Sequence, residues 1–138
     1  VSFHVAILGP VRKETQTELS MSDCVDLGIK APLNMSGNLD GAGAIQIEGP
    51  KGTRNVEHGA IVAHNHIHVP PDVARELDLT DGAHVSVQVL SARPLTFQDV
   101  VIRINEQFRF KMHIDFDEAN AALVRGFTLG KIIRQDKN

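Results

Sequence analysis

The sequence has no tryptophan, no tyrosine and a single cysteine, and its basic residues do not outnumber its acidic ones. With few aromatic side chains it offers little of the surface on which single-stranded nucleic acid stacks. The formal net charge of −3 and the lack of a basic stripe also argue against a nucleic-acid partner. The lone Cys24 cannot form an internal disulfide, which fits a reducing compartment. We expect Cys24 to pack as a small apolar residue.

Segments typical of membrane-bound and secreted proteins are also lacking. No apolar run approaches the roughly 20 residues that cross a bilayer, and no signal peptide opens the chain. Neither a phosphate-binding P-loop, a dinucleotide fingerprint nor a Gly-x-Ser-x-Gly elbow occurs. The first residue is not methionine, so we expect that a leader was removed or that the sequence is a piece of a longer protein.

The 138 residues, 42% of them hydrophobic, predict a globular fold built mostly from short strands. We expect strands at 1–8, 15–19, 44–48, 59–69, 83–90, 95–104, 108–114 and 127–133. Short helices are expected at 22–27, with Ser22 as the N-cap and Gly28 as the stop, and at 73–77 and 117–124. Such helices are too few and too short to cover both faces of a parallel sheet, so the pattern favours a closed or nearly closed β-barrel.

Two segments repeat one order of features. In Thr17–Asp23 and in Met112–Glu118, a strand ends in a polar residue and a short acidic helix follows. This echo predicts a duplicated, or double, β-barrel with short interspersed helices. We expect a first unit at 1–55 that carries Arg12 and Glu18, and a second at 56–138 that carries the histidines below. No strand matching the histidine strand precedes the first unit, so we expect the first barrel to be incomplete.

Three of the seven histidines fall on alternate residues in the stretch Ala-His-Asn-His-Ile-His: His64, His66 and His68. On one β-strand their side chains would share a face. His66 and His68 have the spacing that chelates a transition-metal ion, and His113, on its own strand, is a candidate third ligand. An exposed or hydrogen-bonded edge strand is the alternative, since histidine tolerates half-burial. The remaining histidines are expected to be structural or surface residues: His4, His58 and His84.

The other dense polar segment runs from Gly9 to Glu18. The planar guanidinium of Arg12 is suited to holding phosphate in a bidentate manner, whereas Lys13 would act as a point charge. Glu18 could be a metal ligand or a base. The alternative is a solvated loop followed by a polar strand.

Several separate motifs together resemble those of the PduL-type phosphotransacylases (phosphate propanoyltransferases). The resemblance covers nearly all of Val5 to Val124, in the same order and spacing. The motifs are Gly9-Pro10-Val11-Arg12, Thr15-Gln16-Thr17-Glu18, Gly49-Pro50-Lys51-Gly52, His66-Ile67-His68 with Pro71-Asp72, and Met112-His113-Ile114-Asp115.

The resemblance implies a double β-barrel with a two-metal, usually zinc, site. It implies the reversible conversion of acyl-CoA (propanoyl-CoA or acetyl-CoA) and phosphate into acyl phosphate and free CoA. Carried over position by position, His66, His68 and His113 would bind one zinc ion, Glu18 would help to bind the other, and Arg12 would bind phosphate. No residue is assigned to CoA. The implied setting is the cytoplasm or the lumen of a bacterial microcompartment for propanediol utilization, with no membrane partner.

Three features depart from that family. Its earlier His-x-His strand, which joins the glutamate at the second metal, is not found here, so we expect one zinc ion rather than two. Asn65 stands where the family usually has arginine, and His64 where it tends to have a small residue. A sheet edge left unpaired by the lacking strand would favour a homodimer. A second hypothesis is therefore a non-catalytic metal-binding or assembly β-barrel module derived from this family.

Overall fold

The computed structural model describes residues 1–134, and within them the chain forms nine strands and three short helices. The expectation of a mainly β protein is therefore confirmed. The chain divides into two compact units, one formed by Val1–Ala63 and the other beginning at His64. Each unit contains its own cluster of buried apolar residues. No helix within residues 1–134 is long and apolar enough to span a bilayer.

The first unit is organised around one long strand, β4. Its elements are β1 (Thr17–Glu18), α1 (Met21–Leu27), β2 (Leu33–Asn34), β3 (Gly43–Gly49) and β4 (Gly52–Ala63). β4 pairs in parallel with β1 and β2 and antiparallel with β3. Its last residues are the buried ones, and Ala60 and Val62 pack with Leu19 and Cys24. The prediction that Cys24 packs as a small apolar residue is confirmed.

A reciprocal pair of side-chain hydrogen bonds opens α1. The Oγ of Ser20 accepts the backbone N–H of Asp23 at 3.1 Å, and the Asp23 carboxylate accepts the backbone N–H of Ser20 at 3.1 Å. The prediction that Ser22 is the N-cap was wrong, because the Ser20–Asp23 pair satisfies two otherwise unpaired backbone donors at once. The expected stop at Gly28 is confirmed, with φ of 68° in the left-handed region.

The second unit contains a five-stranded sheet. Its elements are β5 (His66–Val69), α2 (Pro71–Glu76), β6 (His84–Val89), β7 (Leu95–Ile104), β8 (Lys111–His113), α3 (Phe116–Ala121) and β9 (Gly130–Ile133). The strand order is β8-β5-β7-β6-β9. β5 lies between β8, which is antiparallel to it, and β7, which is parallel. One face packs a core that includes Ile67, Val85, Val100 and Ile102.

Two of the expected strands differ from the structure. The continuous strand expected at 59–69 is interrupted at His64 and Asn65, where the carbonyl oxygen of His64 bonds to the side chain of His66. Residues 1–8 do not form the expected strand. Within the described residues their backbone pairs with no neighbouring strand, and an alternating pattern without such a partner leaves N–H and C=O groups to water.

The sequence echo corresponds to a repeated local structure. β8 ends at His113, two residues before the N-cap Asp115 of α3, just as β1 ends at Glu18, two residues before Ser20. α3 also opens with a reciprocal pair, between Asp115 and Glu118. Both units therefore place a strand-end polar side chain directly before a capped helix.

Candidate metal centre

Three histidine side chains converge on the surface formed by β5 and β8. His66 and His68 are two residues apart on β5 and therefore share a face. His113 is the register partner of His66 across the antiparallel β5–β8 pair, which places it on the same face. The rings of His66 and His113 lie parallel with centroids 5.1 Å apart, and those of His68 and His113 are 4.1 Å apart. The structure thus brings together the three histidines that the sequence singled out as ligands of one metal.

The spacing of the ring nitrogens suits a transition-metal ion. One nitrogen from each ring lies within 4.8 Å of the others, and the Nε2 atoms of His66 and His68 are 3.1 Å apart. Two imidazole nitrogens bound to a tetrahedral zinc ion lie about 3.3 Å apart, because each Zn–N bond is about 2.0–2.1 Å long. The pair on β5 already has this separation. The separations that involve the third nitrogen, from His113, reach up to 4.8 Å, so metal binding requires a small inward movement of at least one ring.

A backbone carbonyl sets the tautomer of the neutral His66 ring. Its Nδ1 lies 2.8 Å from the carbonyl oxygen of His64, which can only accept, so Nδ1 carries the proton. The Nε2 atom of the neutral ring then presents its lone pair towards His68. A hydrogen bond from the distal nitrogen that fixes the tautomer is the usual support of a metal-binding histidine. His66 is 5% exposed, so its ring is also held by packing.

His68 is kept neutral by its surroundings. Burial, and to a smaller extent the nearby His113, His66 and Arg103, lower the pKa of His68 to about 4. The neutral imidazole is the form that binds metals, so His68 needs to lose no proton at pH 7. The ring of His68 also stacks on that of Phe108, with ring centroids 3.7 Å apart.

Two cations flank His68 on the neighbouring strands. Arg103 of β7 and Lys111 of β8 are both register partners of His68. An anion near the histidines would therefore meet positive charge from both sides. Sequence spacing does not indicate Arg103, Lys111 or Phe108, because each is brought to His68 by strand pairing or chain folding, which local spacing does not encode.

His64, which the sequence places on the same face as His66 and His68, is not part of the cluster. It lies in the break between β4 and β5, with Nδ1 2.8 Å from the carbonyl oxygen of Asn65 and Nε2 3.4 Å from the Asp99 carboxylate. Asp99 also accepts a hydrogen bond from His84, and this bond holds the pKa of Asp99 below its ordinary value. His64 and His84 are thus engaged with a carboxylate outside the three-histidine cluster.

Arg12 and Glu18 lie in the first unit, around the loop at Ser36 and Gly37. The side-chain Nε2 of Gln16 donates to the Glu18 carboxylate at 2.8 Å and to the Oγ of Ser36 at 3.1 Å. The side-chain Oε1 of Gln16 accepts the backbone N–H of Gly37. The guanidinium of Arg12 is exposed, and a Cβ atom at Gly37 would lie 3.7 Å from it. Gln16 therefore links Glu18 to the loop beside Arg12, a link that the sequence did not indicate.

Known proteins of one family match this chain. The phosphate propanoyltransferase family profile matches residues 2–125. A phosphate propanoyltransferase of Clostridioides difficile is 44% identical over 132 residues, which are 96% of this chain and 63% of the relative. The corresponding protein of Alkaliphilus metalliredigens is 48% identical, covering 95% of this chain and 62% of the relative. The Thermotoga maritima protein is 46% identical over 88% of this chain and 58% of its own length. The chain thus spans less than two thirds of the length of each of these relatives.

Proposed function

The chain belongs to the phosphate propanoyltransferase family, and from that membership we propose that it is all or part of a zinc-dependent phosphate acyltransferase. The proposed reaction interconverts acyl-CoA and phosphate with acyl phosphate and free CoA. Propanoyl-CoA is the substrate that the name of the relatives favours, with acetyl-CoA as the close alternative. The convergence of His66, His68 and His113 is the observation that carries the proposal.

The proposed reaction requires that the substrates be positioned and that the developing negative charge be stabilised, and it needs no protein nucleophile. A phosphate oxygen bonds to the acyl carbonyl carbon, the carbon–sulfur bond breaks, and the proton of hydrogen phosphate passes to the departing thiolate. When bound, zinc would polarise the thioester carbonyl and stabilise negative charge on the sulfur. The single cysteine is 2% exposed and is no candidate for a covalent acyl carrier.

The phosphate role is assigned first to Arg12. Its planar fork can hold phosphate in a bidentate manner and so fix the direction from which the oxygen attacks. Arg103 and Lys111 would also favour phosphate binding, because their positive charges beside His68 attract a dianion to the face that carries the histidines. Glu18 is proposed as a residue that would help to bind the family's second metal ion, together with the earlier His-x-His strand that is not found in this sequence. The hydrogen bond from Gln16 would hold its carboxylate in place.

The finer features of architecture and setting are also proposals. We propose the double β-barrel, with the boundary between its units after Ala63 instead of the 1–55 and 56–138 expected from the sequence, because β4 runs through position 55. We further propose a homodimer that works in the cytoplasm or in the lumen of a microcompartment. The repeated strand-and-capped-helix structure supports duplication. Sedimentation over a range of protein concentrations tests the dimer, and a monomer at every concentration would count against it.

A non-catalytic metal-binding or assembly module is the second candidate. One observation favours it. All three histidine ligands come from the second unit, so this unit could bind a metal ion without any contribution from Arg12 or Glu18. Metal binding and catalysis can therefore be separated by experiment.

The test is an assay of acyl-CoA formation from propanoyl phosphate and CoA. The chain would be stripped of metal by a chelator, dialysed and assayed with and without added zinc. Formation of propanoyl-CoA that depends on zinc supports the transferase. One bound zinc ion per chain without turnover would instead support the second candidate, and turnover unaffected by removal of zinc would contradict the role of the metal.

A further inference from the structure

A hydrogen bond joins the segment just before β5 to the helix that follows β8, the two strands that carry the three histidines. Asn65, the residue before β5, donates its Nδ2 to the Oε2 of Glu118 on α3 at 2.6 Å. The other oxygen of Glu118 accepts the backbone N–H of Asp115 at 3.1 Å. One carboxylate therefore contacts both the start of β5 and the residue that follows β8 by two positions.

The orientation of the Asn65 amide follows from its partner. An ionised carboxylate only accepts hydrogen bonds, so the amide nitrogen of Asn65 must face Glu118. The amide oxygen is then directed away, where it is buried and has no hydrogen-bond partner among the described residues. An unsatisfied buried oxygen is destabilising, so an apolar residue of similar size would suit folding better at this position. The contact to Glu118 is the observed compensation.

The position of this bond relates it to the metal site. His66 and His113 form the last register pair of the β5–β8 ladder, and no further ladder pair follows them. The chain leaves β8 immediately after His113 and enters α3, whose cap includes Glu118. Asn65 and Glu118 thus continue the connection between the two segments past the final pair. His113 is the exposed ligand, and packing holds it less than it holds His66.

We infer that Asn65 and Glu118 are positioning residues that hold the end of β8, and with it His113, against His66 at the separation that a metal ion requires. This inference rests on the proposed function, since it assumes that the three histidines bind zinc. Neither side chain is a ligand in this account. Both act through His113.

A double-mutant cycle tests the inference by zinc affinity, measured in competition with a chromophoric chelator. Asn65→Ala should weaken zinc binding about tenfold, the lower end of the effect of residues that orient metal ligands. Asn65→Leu, which keeps the side-chain volume and removes the unsatisfied oxygen, should weaken it equally. In a His113→Ala background, where only His66 and His68 remain, Asn65→Ala should cause no further loss. The control is Asn120→Ala, an exposed asparagine on α3, which should bind zinc like the wild type.

Two results would overturn the inference. Zinc affinity within twofold of the wild type in both Asn65 variants would leave the bond with a structural role only. A tenfold loss that persists in the His113→Ala background would show that Asn65 acts through β5 instead. The Co²⁺ absorption spectrum gives an independent signature, because the spectrum of Asn65→Ala should move towards that of His113→Ala.

Amide hydrogen exchange on the zinc-free protein separates failure of this inference from failure of the proposed function. Asn65→Ala should speed exchange at the β8 amides about tenfold and leave the β9 amides, at the opposite edge of the sheet, unchanged. If β8 exchange stays at the wild-type rate, the positioning role is wrong whether or not zinc binds. A wild-type chain that binds no zinc would overturn the proposed function and, with it, the link from this bond to a metal.

Discussion

The arrangement around His66 shows how one residue can be prepared for metal binding by its own backbone. The Nδ1–H of His66 donates to the carbonyl of His64, burial holds the ring, and Nε2 is directed at His68. His68 is kept neutral by burial and by nearby positive charges, which lower its pKa to about 4. His68 is therefore in the form that binds metals at neutral pH.

Arg12 carries a prediction about phosphate. Arg12→Ala should raise the KM for phosphate about tenfold in the direction of acyl-phosphate synthesis, because a bidentate, charge-assisted contact is lost. The KM for acyl-CoA should change little. The measurement is a steady-state titration of each substrate.

Arg12→Lys provides the matched comparison, since it keeps the charge and removes the planar fork. Its phosphate KM should fall between those of the wild type and Arg12→Ala. An unchanged phosphate KM in Arg12→Ala would exclude Arg12 from phosphate binding.

Sequence spacing identified the histidine ligands for a simple reason. Residues two apart on a strand share a face, so His66 and His68 could be paired without a structure. Nothing in local spacing shows that Arg103 and Lys111 are the register partners of His68, because register depends on distant segments. The face shared by His66 and His68 was thus predictable from the sequence, and the charges around it were not.

The helices that follow β1 and β8 were likewise only partly predictable from the sequence. Both were expected from their acidic starts, but the cap of α1 was assigned to Ser22 when the structure has Ser20. Two serines two residues apart offer the same side chain to the helix start. Only the reciprocal bond from Asp23 distinguishes them, and it depends on the backbone path before the helix.

Ser20 carries a prediction about stability. Ser20→Ala should lower the free energy of unfolding by about 1 kcal/mol, because the backbone N–H of Asp23 loses its acceptor. Ser22→Ala should change it less, since Ser22 is exposed within the helix and alanine is favoured there. Urea denaturation of the two variants measures the difference. A larger effect at Ser22 than at Ser20 would contradict the assigned cap.

The strand predictions were best for β7 and poorest for the run that contains β4 and β5. β7 was expected at 95–104 and is found at Leu95–Ile104, between β5 and β6. The run at 59–69 looks continuous in sequence, yet it is interrupted at His64 and Asn65, where the carbonyl oxygen of His64 bonds to the side chain of His66. A side chain that bonds to the backbone two residues away is not visible in a hydrophobic pattern.

At the scale of the whole molecule, the division into two units makes a prediction about which one responds to zinc. Because a ligand that binds only the folded state stabilises it, zinc at one hundred times its Kd should add about 2.7 kcal/mol. The wild type and Glu18→Ala should both show the increase in melting temperature, and His68→Ala should lose it. Thermal denaturation with and without zinc measures this. Loss of the response in Glu18→Ala alone would place the retained zinc ion in the first unit.

The most direct measurement is the zinc content of the purified chain after dialysis against a weak chelator. We predict one zinc ion per chain in the wild type and in the control His58→Ala, an exposed histidine of β4, and none in His66→Ala. A wild-type chain without zinc, or a His66→Ala variant that keeps its full zinc content, would contradict the metal centre and the function built on it.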